Sequence, residues 1–280
     1  MQSSLLDTLF LSEKRKDLLL FLKDGAKNTD EIKAAFDFPW KSMIPQIKKL
    51  DEWELVTYKK GNCSLTTMGE VIVENMDRFL MTLKAHEYYG KYWLEHDLKS
   101  IPKELLYRIG ELGHCEVLEP NLPNVFEQQE EMLTRIDGSD RIMVFISIYH
   151  PAQLLIFSDM MERGTKLDMI ITEEVYRIIK GEIRSDITIL QSDNPIFISL
   201  KEEYEREMDL FFKDKRSNVF IYRENVKPLA ITVTDRSFSL ALLEKNGRYN
   251  NCMITSSEPA AISWGEELFN YYKNMSDRLA

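Results

Sequence analysis

Several side chains able to meet a polar ligand stand close together between residues 41 and 49: Lys41, Ser42, Gln46 and Lys49. Ser42, Pro45, Gln46 and Lys49 recur at spacings of three, four and seven, so a helix over 41–50 would carry them on one face. Ile44, Ile47 and Leu50 fall on a separate apolar stripe suited to packing. An amide at Gln46 matches the donor and acceptor of an adenine edge, while a cation at Lys49 or Lys41 matches guanine or phosphate. Shortly after, Lys59 and Lys60 precede a Gly61-Asn62 turn between the strand-like runs Leu55-Val56-Thr57-Tyr58 and Cys63-Ser64-Leu65-Thr66. A basic hairpin tip contacts phosphates, which fixes register without reading sequence.

The elements that must hold these residues can be read upstream. The apolar pattern from Leu5 to Leu22 predicts helix, broken near Leu11-Ser12, with Ser12 capping the second segment. Asp24-Gly25 stops it, and Thr29 ahead of Asp30-Glu31 is expected to cap a short helix running to about Phe36. After the break at Asp37-Phe38-Pro39 the third helix is expected over Lys41 to Leu50, with Pro45 tolerated in or just after its first turn. Three helices followed by a hairpin is the order of a winged helix-turn-helix, placed here at residues 1–75.

Residues 76–113 read mostly as helix, rich in aromatics at Tyr88, Tyr89, Tyr92 and Trp93 and restarted at Pro102, and are expected to form a linker and dimerisation segment. From 114 to 280, strand-like runs such as Arg141 to Tyr149 and Lys166 to Ile171 alternate with helical ones. Asp186 to Leu190 is a further expected strand, and Leu200 to Phe212 a further expected helix. The fold class that follows is α+β and α/β multidomain, ending in an α/β domain with a mostly parallel or mixed sheet. In such sheets ligands sit beyond the carboxyl ends of strands, which nominates Tyr149, His150, Thr172, Glu173, Ser192 and Asp193 as a pocket rim. The same positions also suit ordinary turns and caps.

The formal charge is −10, yet the first 75 residues hold 11 Lys/Arg against 12 Asp/Glu, so the acidic excess lies almost wholly beyond them. Screening makes local charge decisive for phosphate contact, and residues 40–50 hold Lys41, Lys48 and Lys49 with no acid. Cys63, Cys115 and Cys252 are far apart and odd in number, which fits a reducing cytoplasm. No apolar run approaches the roughly 20 residues of a membrane span, and Met1-Gln2-Ser3-Ser4 lacks signal-peptide features. Gly-x-Ser-x-Gly, a Walker loop and Gly-x-Gly-x-x-Gly are absent, and no His/Cys/Asp spacing suits zinc. No enzyme activity, cofactor or metal is therefore expected.

The strings Pro45-Gln46-Ile47-Lys48-Lys49-Leu50, Leu65-Thr66-Thr67-Met68-Gly69-Glu70, Tyr92-Trp93-Leu94-Glu95-His96-Asp97-Leu98 and Ala261-Ile262-Ser263-Trp264-Gly265-Glu266-Glu267-Leu268-Phe269 occur in this order. In them the chain resembles the archaeal winged-helix regulators called methanogenesis regulatory proteins, and similar filR-type regulators of methanogens. The resemblance implies a sequence-specific regulator of transcription that binds double-stranded promoter DNA as a homodimer. Its C-terminal domain would sense an unknown signal, such as a small-molecule effector, or mediate dimerisation. That domain also looks similar to the phospholipase D-like fold, whose active members need His-x-Lys. His86, His96, His114 and His150 are followed two places on by Tyr88, Leu98, Glu116 and Ala152, so no hydrolase chemistry carries over. Redox-responsive relatives use clustered cysteines, which Cys115 and Cys252 are not. A winged helix that docks protein is the alternative reading, and an orphan enzyme on the α/β half a third.

Overall fold

The computed structural model describes residues 4–119, 134–149, 151–180, 216–250 and 252–279. The chain divides into two units, Met1–Met81 and Thr82–Ala280.

In the first unit, α1 (Leu5–Phe10) opens on a capping box. The Ser4 hydroxyl accepts from the Asp7 amide at 3.1 Å, and the Asp7 carboxylate accepts from the Ser4 amide at 3.2 Å. Ser12 stands at the N-cap of α2 (Glu13–Phe21), where its side chain makes no capping bond. The cap of α3 (Thr29–Ala35) is Asn28 and not Thr29. The Asn28 side chain accepts from the Asp30 and Glu31 amides at 2.9 Å, and the Glu31 carboxylate returns a bond to the Asn28 amide. Thr29 is instead drawn to the hairpin, its hydroxyl donating to the Gly61 carbonyl at 3.0 Å.

The next helix, α4 (Trp40–Glu52), begins one residue before the expected start. Pro45 is therefore its sixth residue, beyond the first turn, and the Lys41 carbonyl loses the amide that would bond it. Its buried stripe is Met43, Ile47 and Leu50, which joins Leu18, Leu19 and Ile32 in the core, whereas Ile44 is 39% exposed. Geometry explains the correction. At about 100° per residue, 43, 47 and 50 stay within about 60° of arc, while 44, 47 and 50 fan over about 120°. Strands β1 (Lys27–Asn28), β2 (Val56–Lys59) and β3 (Asn62–Leu65) form an antiparallel sheet in the order β1-β3-β2. The hairpin loop is Lys60-Gly61 and not Gly61-Asn62, with φ of 52° and 82° at the two residues, the left-handed pair that a two-residue type I′ turn requires.

The long helix α5 (Thr67–Glu95) leaves the hairpin through Thr66, whose hydroxyl accepts from the Gly69 amide at 3.0 Å. A Cβ at Gly69 would lie 2.0 Å from the Leu55 carbonyl oxygen, so this position admits no side chain without movement. The helix kinks at Tyr89, where φ is −133° and ψ is 28°.

The second unit is built on one sheet of β4 (Glu116–Leu118), β5 (Arg141–Ile146), β6 (Lys166–Thr172), β7 (Ser217–Tyr222), β8 (Ala230–Thr234), β9 (Phe238–Ala241), β10 (Met253–Ser256) and β11 (Asp277–Arg278). Their order is β11-β7-β6-β5-β8-β9-β10-β4. The β5–β6 and β6–β7 pairs are parallel and the others antiparallel, so the sheet is mixed.

Residues Ile142 to Ile146 are buried without interruption because both faces of the sheet are covered. Ile142, Val144 and Ile146 pack with Phe157 and Met160 of α7 (Pro151–Glu162) and Val175 of α8 (Glu173–Ile179). Met143 and Phe145 face the other way, towards Trp264 and Phe269 of α9 (Pro259–Asn274). On that same face lie Tyr89, Tyr92 and Trp93, together with Leu105 of the short α6 (Lys103–Leu106). Tyr92 donates to the Leu240 carbonyl at 3.1 Å, and the Trp264 indole donates to the Leu105 carbonyl at 3.0 Å. These aromatics of the expected linker segment therefore belong to the core of the second unit, while Tyr88 is 65% exposed. The strand expected at Asp186 to Leu190 and the helix at Leu200 to Phe212 lie outside the described residues.

Candidate nucleic-acid interface

The two clusters named from sequence meet in the first unit. The Trp40 ring at the start of α4 lies 6.5 Å from the Tyr58 ring on β2, and the Tyr58 hydroxyl is 3.0 Å from the Thr29 hydroxyl at the start of α3. The wing is thus held beside the third helix by side chains from three elements. The Thr29 amide also donates to the Gly61 carbonyl at 2.9 Å, anchoring the loop that carries Lys60.

On α4 the expected outward face is turned by about one residue. Lys41, Ile44, Pro45 and Lys48 are exposed, whereas Ser42, Gln46 and Lys49 are only partly so. Ser42 and Gln46 are moreover engaged by α2. Lys14 donates to the Ser42 hydroxyl at 2.9 Å while its ammonium sits 4.8 Å from the Phe38 ring centre. Arg15 donates to Gln46 Oε1 at 2.7 Å. Its other bonds run to the Thr8 carbonyl at 2.5 Å and the Asp7 carbonyl at 3.2 Å, so one guanidinium closes the C-terminal end of α1 and tethers α4. Burial lowers the Arg15 pKa from its ordinary value, but a guanidinium stays charged at any physiological pH. Because it can only donate, it dictates which end of the Gln46 amide faces α2.

Three other lysines of this unit are ion-paired: Lys16 with Glu13, Lys23 with Glu74 and Asp77, and Lys33 with Asp30. Lys41, Lys48, Lys59 and Lys60 are exposed and enter no ion pair among the described residues. Lys48 was not singled out as a contact from sequence, although its spacing of seven from Lys41 carries the signal. Lys14 and Arg15 could not be found that way, because their partners lie 28 and 31 residues away.

The described rim residues of the second unit, Tyr149, Thr172 and Glu173, are engaged within the fold. Thr172 is buried and its hydroxyl accepts from the Val175 amide at 3.4 Å as the cap of α8. Glu173 pairs with Arg223 at 3.5 Å, and Tyr149 is buried. His150, Ser192 and Asp193 lie outside the described residues. Among the described residues, no three His, Cys, Asp or Glu side chains gather as metal ligands, and no helix is long and apolar enough to cross a membrane.

Helices α2, α3 and α4, followed by a hairpin with β1 on its free edge, define a winged helix-turn-helix, here joined to a mixed α/β unit. Two family models match the chain. That of the methanogenesis regulatory protein FilR1 N-terminal domain covers residues 3–84, and that of its middle domain covers residues 125–195 and 190–275. The chain belongs to this FilR1 family. It is 26% identical over 271 residues to the methanogenesis regulatory protein FilR1 of Methanothrix harundinacea (strain 6Ac), covering 96% of this chain and 56% of that protein. The chain therefore spans little more than half the length of the curated relative it matches. Among solved structures, TrmBL2, an archaeal chromatin protein, overlaps 96% of this chain and 94% of its own at 13% identity, with a TM-score of 0.42. NucT from Helicobacter pylori overlaps 59% of this chain and 99% of its own at 12% identity, with a TM-score of 0.40.

Proposed function

We propose that this chain is a sequence-specific transcription regulator that binds promoter DNA through α4 and the β2–β3 wing. The observation that carries the reading is the set of exposed, unpaired cations, Lys41 and Lys48 on α4 and Lys59 and Lys60 on the wing, within a unit of near-neutral charge. An α-helix fits the major groove, and flanking lysines replace the counterions of the phosphates. Membership of a family of regulatory proteins supports the same reading.

The second unit acts in this proposal as an effector without catalytic function, phospholipase D-like in architecture, which answers a small-molecule signal and brings two copies together. Its support is the mixed sheet covered on both faces. Two-fold pairing would space two recognition helices by about 34–36 Å, one turn of duplex. Gel-shift titration against fragments of the source genome at rising salt tests the DNA reading. Binding that weakens steeply with salt is expected, and no binding at low salt would overturn it.

A further inference from the structure

The structure inverts the expected chemistry of α4. Its polar candidates, Ser42 and Gln46, are held by Lys14 and Arg15 of α2. What stands exposed between Lys41 and Lys48 is apolar: Ile44, 39% exposed, and the ring of Pro45. The two lie on the N-terminal half of the helix, while Asp51 and Glu52 occupy its other end. Those carboxylates repel phosphate, so the N-terminal half is the part that can approach a duplex closely.

We infer that α4 reads thymine through its 5-methyl group, with Ile44 and Pro45 forming the contact surface and Lys41 and Lys48 bonding the adjoining phosphates. The inference rests on the DNA-binding reading above. Of the four bases, thymine alone presents a methyl group in the major groove, and an aliphatic side chain recognises it by excluding water. Neither Ile44 nor Pro45 has a side-chain donor or acceptor, so base-edge hydrogen bonding cannot be their role. Gln46 Oε1 already accepts from a buried cation, which commits one of its two lone pairs and competes with the pairing that adenine needs.

Thymine-to-uracil replacement deletes the methyl group and leaves every hydrogen-bonding group in place. The 280-residue chain is first used to select bound duplexes from a random pool. The selected site is then resynthesised with deoxyuridine at each thymine in turn. At one or two positions affinity should fall by about fourfold per methyl lost. Ile44→Ala should narrow the difference between the thymine and uracil duplexes, and Gln46→Glu, which keeps an acceptor for Arg15, should select the same bases as the parent. Indifference of the parent protein to uracil at every position would overturn the inference, as would a base preference altered by Gln46→Glu. Failure to bind any duplex at low salt would instead overturn the DNA-binding reading itself.

Discussion

Replacing Lys60 by Asn separates binding from stability, because the two should move in opposite directions. Lys60 sits at φ 52°, where a side chain costs about 1–2 kcal/mol unless it is glycine or a short polar residue. Asn followed by Gly61 is the pair that this turn favours, so Lys60→Asn should stabilise the first unit by about 0.5–1 kcal/mol. The lost cation acts the other way on DNA. Four lysines, each neutralising one phosphate, give a slope of log affinity on log salt of about −3.6 per copy. A fourfold rise in salt then weakens binding about 150-fold. With Lys60 gone the slope should be about −2.7, and the same rise should weaken binding about 40-fold. Urea denaturation gives the first quantity, and fluorescence anisotropy with a labelled duplex at several salt concentrations gives the second. An unchanged slope would refute the placement of the wing on phosphate. A lower urea midpoint would refute the turn argument.

Three further outcomes follow from other parts of the molecule. Gly69→Ala forces a Cβ against the Leu55 carbonyl and should cost about 2–3 kcal/mol; an unchanged urea midpoint would contradict the close approach. Burial pushes the Cys63 thiol up to about 11, Cys115 to about 12 and Cys252 to about 11, so iodoacetamide near neutral pH should add nothing to the folded protein and three groups after unfolding. Intact mass measurement decides this, and native labelling of Cys115 or Cys252 would reopen thiol sensing. Arg108 donates to Glu111 and Glu267, both at 2.7 Å, and its hydrogen bonds hold the Glu267 carboxyl below the ordinary 4.5. A depressed carboxylate stabilises above its unfolded value and loses that contribution as pH falls through the folded one. Arg108→Gln should therefore remove stability at pH 7 and make little difference once the pH has fallen well below the folded Glu267 value. The Glu267 side chain is 47% exposed, so about 1 kcal/mol is the ceiling. An equal loss at both pH values would refute the pairing.

Local signals settled the order of elements. Gly25, Pro39 and Gly61 punctuate the first unit, and the apolar spacing between them was enough to read three helices and a hairpin. The alternation of strands and helices beyond residue 114 likewise pointed to an α/β domain with a mostly parallel or mixed sheet, because each short run carries its own periodicity between turns. The aromatic run at 88–93 was less legible. Apolar residues at helical spacing show that a face is buried, but not whether its own chain or a partner buries it.

The recognition helix shows most clearly where sequence stopped. Its existence, its Pro45 and its lysines were all readable, yet the phase of its stripe was not. Met43 and Ile44 are adjacent and both apolar, and a choice between them rotates the outward face by about 100°. Only packing made it: Met43 lies in the core, and Ile44 faces outward. The fate of Gln46 was equally beyond periodicity, because Arg15 reaches it across 31 residues of chain. The sequence by itself therefore determined that this helix is amphipathic and basic, since that depends on spacing alone. Tertiary structure decided which of its residues face outward, since contacts between elements remote in sequence select among faces that local spacing leaves nearly equivalent.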